Sequence, residues 1–109
     1  MPSQFLEFDL AEDGEDGLSA SALASPAPRH TPALIAEVQA LLQALHAELG
    51  APGPLDEGHG WDLALQVQGE DGAPIAWETA ATAHGRIQLS LDLAGGQALR
   101  QCLLDWLAA

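Results

Sequence analysis

The sequence TPALIAEVQALLQALHAELG, residues 31–50, decides the fold, because it predicts one long helix with a single broad apolar face. Thr31 and Pro32 are typical of a helix start, since a threonine hydroxyl can cap a free N–H and proline fits the first helical position. We expect the helix to end at about Leu49, because Gly50 suits the left-handed conformation that follows many helices. The apolar face consists of Leu34, Ile35, Val38, Leu41, Leu42, Leu45 and Leu49. A face this wide must be buried against other elements.

The residues before this helix predict a β-hairpin over residues 4–24. Apolar and acidic side chains alternate over residues 5–10, as in a strand with one buried face. The segment AEDGEDG, residues 11–17, is typical of a polar turn, and a second alternation at 18–22 predicts the returning strand. Pro26 and Pro28 cannot take part in a sheet ladder, so residues 25–30 are predicted to form a linker.

The residues after the helix predict an antiparallel meander. Alternation over residues 61–68, 75–82 and 86–93 indicates three strands, each with one apolar face. The segment GEDG at 69–72 and the pair His84 and Gly85 supply the turns between them. Gly95 and Gly96 then interrupt the pattern, and apolar residues at helical spacing over 99–107 predict a short C-terminal helix.

These elements predict a single α+β domain over residues 1–109, with an antiparallel sheet of about five strands in the order ββαβββα and two helices packed on one face. A chain of 109 residues is the usual size for one hydrophobic core. The element order resembles the roadblock, longin and profilin-like architectures. Its α-βββ-α part is similar to class I type III secretion chaperones, which are small and acidic, although the N-terminal hairpin and the lack of later strands differ from them.

The charge of the chain indicates the kind of partner it binds. Sixteen Asp and Glu residues stand against three Arg and no Lys, which gives a net charge of −13. The electrostatic field of this net charge repels nucleic acid and anionic lipid and attracts basic surfaces. The acids are densest at the predicted hairpin tip, at Asp9, Glu12, Asp13, Glu15 and Asp16. This cluster is either a docking site for a partner rich in Arg and Lys or a solvated turn.

Two tryptophans are the aromatic candidates for partner binding. Trp61 begins one predicted strand and Trp77 lies in the next. Tryptophan is enriched in interface hot spots, and packing in the core is the alternative interpretation for both.

We predict no catalytic, cofactor-binding or metal-binding residue. The four histidines lack the spacing of metal ligands, and the acidic turn lacks the ligand spacing of a calcium loop. Cys102 is predicted to lie on the buried side of the C-terminal helix, where a negative field raises the pKa of a thiol. The segment AGG at 94–96 has the shape of a phosphate-binding turn but lacks the further glycines and the Lys, so we interpret it as a simple turn.

The sequence thus predicts a small, acidic, non-catalytic cytoplasmic protein that binds a basic protein partner, as immunity proteins, inhibitors and secretion chaperones do. It predicts no binding to nucleic acid, because three widely separated Arg residues cannot build a patch that neutralises phosphates. It also predicts no binding to a membrane, because the chain shows no signal-like opening and no segment suited to spanning a bilayer. A single cysteine fits a reducing compartment, and abundant Ala without Lys or Tyr indicates a bacterial gene. Two alternatives stay open: a homodimeric regulatory or scaffold module of roadblock-like or longin-like architecture, and a small enzyme that uses carboxylates.

Overall fold

The computed structural model describes residues 5–13, 17–53, 55–58, 60–82 and 85–108, and it describes only the backbone of Asp13, Asp56 and Ala81. Four strands form one antiparallel sheet in the spatial order β1-β2-β4-β3. The strands are β1 (Phe8–Asp13), β2 (Gly17–Ala24), β3 (Trp61–Gln68) and β4 (Gln88–Gly95), and the helices are α1 (Thr31–Leu49) and α2 (Gln97–Ala108). Short 3₁₀ helices lie at Pro28–His30, Leu55–Glu57 and Trp77–Thr82. The predicted α+β class with an antiparallel sheet is confirmed.

One face of the sheet and the apolar faces of both helices share a single core. Residues that lie opposite each other on neighbouring strands point to the same face, so the register defines which side chains meet. On β2 and β4 the buried side chains are Leu18, Ala20, Ala22, Ala24, Leu89, Leu91 and Leu93, and these pack with Leu34, Val38, Leu41, Leu45, Leu99 and Leu103 of the helices. Alanines on β2 keep this part of the sheet thin, which leaves room for the leucines of the helices.

The strand predicted over residues 75–82 is wrong, and the described chain has the order ββαββα instead of ββαβββα. A 3₁₀ helix, Trp77–Thr82, occupies this position. The hydroxyl of Thr79 donates to the carbonyl of Ala76 at 3.1 Å, and that of Thr82 to the carbonyl of Thr79 at 3.0 Å. Threonine hydroxyls compete in this way with sheet pairing. Ala80 is fully buried, and the segment packs against α1 instead of extending the sheet.

The predicted N-terminal hairpin is confirmed, but its first strand lies later in the sequence than the alternation suggested. β1 begins at Phe8 and continues to Asp13, so Glu12 belongs to the strand and not to the turn. The preceding residues approach α1, where the backbone N–H groups of Phe5 and Leu6 donate to the carboxylate of Glu37 at 3.1 and 2.8 Å. Burial of Leu6 against the core anchors this segment.

The main helix is confirmed over Thr31–Leu49, while its start differs from the prediction. His30 is the N-cap residue, and the buried hydroxyl of Thr31 has no hydrogen-bond partner among the residues that the structure describes. The helix ends as expected at Gly50, whose φ of +82° is tolerated best by glycine. The indole of Trp61 donates to the carbonyl of Gly50 at 2.9 Å, which joins the helix end to the start of β3.

Candidate functional site

The sheet face turned away from the helices is not covered by any described element, and we call it the open face. Its residues are Asp9 and Ala11 of β1, Ser19, Ser21 and Leu23 of β2, Asp62, Ala64, Gln66 and Gln68 of β3, and Gln88, Ser90, Asp92 and Ala94 of β4. All of them are exposed or half-buried. None of the four strands contains a basic residue, so the carboxylates of the open face have no counter-charge within the sheet.

Asp62 and Asp92 form the centre of charge on the open face. Asp92 lies opposite Ala64, and Asp62 lies opposite Ala94, so the two carboxylates are diagonal neighbours on β3 and β4. Diagonal neighbours on an antiparallel pair are about 7–8 Å apart. The hydroxyl of Ser21 donates to Asp92 Oδ1 at 2.7 Å, and the backbone N–H of Leu63 donates to Asp62 Oδ1 at 2.8 Å. These hydrogen bonds restrict the positions of both carboxylates.

A shallow depression of about 280 Å³ lies between these two carboxylates. Small side chains make the depression, because Ala64, Ala94 and Ser19 leave space that larger residues would fill. The arrangement suits a long cationic side chain that enters from solvent. A planar guanidinium has five donors and can bind two carboxylates at once, which an ammonium group does less well.

The predicted acidic cluster is divided between the two sides of β1. Asp9 is exposed on the open face, in the same cross-strand row as Asp92. Glu12 points to the side of the sheet that carries the helices, and its carboxylate lies 3.4 Å from the guanidinium of Arg100. Asp13 pairs with Gly17 through the backbone, and its side chain lies outside the described atoms. Glu15 and Asp16 lie outside the described residues.

The two tryptophans proposed as anchors occupy different environments. Trp61 is 1% exposed and packs in the core, so it cannot serve as a surface anchor without unfolding of the start of β3. Trp77 is half-buried at the beginning of its 3₁₀ helix and packs against the core cluster. Of the pair, Trp77 alone keeps a solvent-accessible part in this structure.

Cys102 is half-buried on α2. Burial raises the pKa of the Cys102 thiol, and the carboxylates of Glu48 and Asp105 raise this pKa further. The direction of this pKa shift agrees with the sequence prediction. A thiol of this kind is a poor nucleophile at neutral pH, because little of it is present as thiolate.

The histidines do not converge where the structure describes them. His30 and His46 are exposed near opposite ends of α1, whereas His59 and His84 lie outside the described residues. Within the described part of the chain, no group of three or more His, Cys, Asp or Glu residues is arranged to hold a metal ion. The same part of the chain has no helix with the length and apolar character needed to cross a membrane.

The sequence did not identify Asp62 and Asp92 as partner-binding residues. Alternation did place each of them on the polar side of its strand, but it could not show that the two lie together with Asp9. That proximity depends on β4 lying between β2 and β3. The hydrogen bond between Ser21 and Asp92 joins residues 71 positions apart.

No protein-family model matches this sequence, and neither a curated protein nor a solved structure matches it significantly. The function is therefore argued from the residues of the site.

Proposed function

We propose that this chain is a small non-catalytic binding protein that holds a basic protein partner on its open face. The observation that supports this most strongly is the pair Asp62 and Asp92, held by hydrogen bonds beside a depression, on a sheet without a basic residue. An arginine of the partner enters the depression and bonds to both carboxylates. Such charge-assisted hydrogen bonds are about twice as strong as neutral ones.

Asp9 extends the acidic surface to the edge of the sheet. It is separated from Asp92 by β2, and two strand spacings amount to about 10 Å. A second basic side chain of the partner therefore pairs with Asp9 while the first occupies the depression. The net charge of −13 attracts such a partner from a distance and accelerates the encounter.

The dimensions of the open face limit the strength of this interaction. Four strands about 4.8 Å apart and about 27 Å long present roughly 500 Å², whereas a standard interface buries about 800 Å² on each partner. The partner therefore also contacts surfaces beside the face. Within the face itself, Leu23 supplies an apolar contact, because its side chain is 65% exposed. The acids of the β1–β2 hairpin supply further charge.

The location and the absence of catalysis belong to the same proposal. A protein with one half-buried thiol is suited to a reducing compartment, and we propose the cytoplasm. We also propose that the chain is not an enzyme, because Asp62 and Asp92 are better arranged to bind a cation than to transfer protons to a buried substrate.

Affinity capture with matched bait proteins tests the proposal. The charge-neutral variant Asp62→Asn/Asp92→Asn keeps the side-chain size and an oxygen acceptor for both hydrogen bonds. The control, Glu57→Gln/Glu78→Gln, removes the same charge from exposed residues of two 3₁₀ helices outside the sheet. We expect a basic protein that the wild type and the control retain and that the open-face variant loses. Association should slow as salt rises, because exposed charges are screened over about 8 Å at physiological ionic strength.

Two results would contradict the proposal. One is a captured partner whose affinity is the same for the wild type and the open-face variant. The other is a partner whose binding does not change with salt. Either would show that the carboxylates of the open face only interact with solvent and do not bind the partner.

A further inference from the structure

A second candidate surface lies between the two helices, away from the open face. The last turns of α1 and the length of α2 border a groove of about 500 Å³. Leu49, Ala98, Cys102 and Trp106 supply much of its apolar lining. A volume of this size is within the range of about 300–1,000 Å³ that is typical of ligand-binding clefts.

The charged groups of this groove are all acidic. Glu48 of α1 and Asp105 of α2 lie among its lining residues, and no basic side chain is among the described residues that line it. Gln101 donates from its amide to Asp105 Oδ1 at 3.0 Å, which holds that carboxylate beside the groove. Both carboxylates are close enough to Cys102 to raise the pKa of its thiol. The groove therefore combines an apolar lining with a negative rim.

We infer that this groove binds a helical segment of a protein partner, which presents an arginine or lysine one turn from a leucine-sized side chain. The apolar side chain packs on Leu49 and Trp106, and the cation pairs with Glu48 and Asp105. Helical segments bind grooves between helices in this way, with contacts at positions i and i+4. A second copy of this chain is a poor occupant, because two molecules that each carry a charge of −13 repel each other.

This inference goes beyond the proposed function and does not depend on it. The open face is formed by strands and the groove by helices, so either surface can bind without the other. The two are distinguished by the backbone amides that shift when a ligand is added to ¹⁵N-labelled protein.

The probe for the test is a capped alanine-based helical peptide with one Leu and one Arg four residues apart, added at millimolar concentration. Its occupancy is read from the alkylation rate of Cys102, which an occupant of the groove protects. The rate should fall about tenfold at about ten times Kd, because the unoccupied fraction is 1/(1 + [L]/Kd). A peptide with Glu in place of Arg is the control and should give no protection.

Two pairs of variants locate the binding. Ala98→Trp fills the groove from an exposed position and should abolish protection, whereas Ala40→Trp, exposed on α1 outside the lining, should not. Asp105→Asn should weaken binding, measured as the ratio of alkylation rates with and without peptide, since the variant also changes the pKa of Cys102. Circular dichroism confirms that each variant is folded.

Four outcomes would overturn the inference. The first is an unchanged alkylation rate at millimolar peptide, and the second is protection that persists in Ala98→Trp. Amide shifts confined to the open face would count against the groove while supporting the proposed function. The fourth outcome is an alkylation rate that falls with protein concentration alone, which would show that a second copy covers the groove.

Discussion

Replacing Gly95 by alanine should destabilise the protein, because β4 meets α2 at this residue without space for a methyl group. A Cβ atom at position 95 would lie 2.8 Å from both Cβ and Cδ2 of Leu99 and 3.1 Å from the carbonyl oxygen of Gly60. Real Cβ atoms essentially never approach a carbon to less than 3.0 Å. Leu99 is completely buried, and its Cβ is fixed to the first turn of α2, so rotation of the side chain cannot relieve the contact.

The expected cost follows from this geometry. Adding a methyl group to a closely packed core destabilises a protein by about 1–3 kcal/mol. Each kcal/mol lowers Tm by about 4–8 °C in a domain of roughly this size. Urea unfolding followed by tryptophan fluorescence measures the free energy, and a thermal melt followed by circular dichroism measures Tm.

Gly60→Ala is the matched control for Gly95→Ala. Among the residues that the structure describes, its Cβ would have only the carbonyl of Leu49 within 4 Å, at an ordinary contact distance of 3.9 Å. This variant should be as stable as the wild type or slightly more stable, because alanine restricts the unfolded chain. If Gly95→Ala unfolds at the same urea concentration as Gly60→Ala, the steric argument is wrong. The glycine at position 95 would then need another explanation, of which a ligand-binding turn is one.

Two further predictions concern α2 and the oligomeric state. Glu48→Gln and Asp105→Asn should each lower the pKa of the Cys102 thiol, since each removes a negative charge that raises this pKa. The pH dependence of Cys102 alkylation in the folded protein should therefore shift to lower pH. An unshifted pH dependence would show that these carboxylates do not raise the pKa. The homodimeric module that the sequence leaves open as an alternative, which would pair through a surface other than the groove, stays a prediction, and light scattering at high concentration would contradict it by giving the monomer mass of 11.3 kDa.

Side-chain periodicity predicts most of the fold, because the helices and strands here bury one face each. It fails at residues 75–82, where alternation suggested a strand but Trp77–Thr82 forms a 3₁₀ helix. Two local features explain the difference. Pairing with β3 stops after an isolated bridge between Gln68 and Pro74, and the hydroxyls of Thr79 and Thr82 bond to nearby carbonyls. Neither feature changes the spacing of apolar side chains.

The residues of the candidate site could be predicted from the sequence only in part, for a physical reason. Charge density along the chain identified the hairpin acids, which are close in sequence. Asp62 and Asp92 become part of the same surface as Asp9 only through pairing of β2 with β4. Strand order is a non-local property, and alternation within a strand carries no information about it. For the same reason the sequence left open whether Trp61 packs in the core or lies at the surface, because its burial depends on contact with the end of α1.

The position of Asp92 also distinguishes between two explanations of the acidic strands. Charged residues on edge strands prevent unwanted pairing with other sheets, and this would account for Asp9 and Glu12 on β1. It does not account for Asp92, because β4 lies between β2 and β3 and has no free edge. A carboxylate on a central strand interacts electrostatically with groups that approach the face of the sheet. With Ser21 holding it beside a depression of small side chains, Asp92 supports the proposal that this surface receives a basic side chain of a partner.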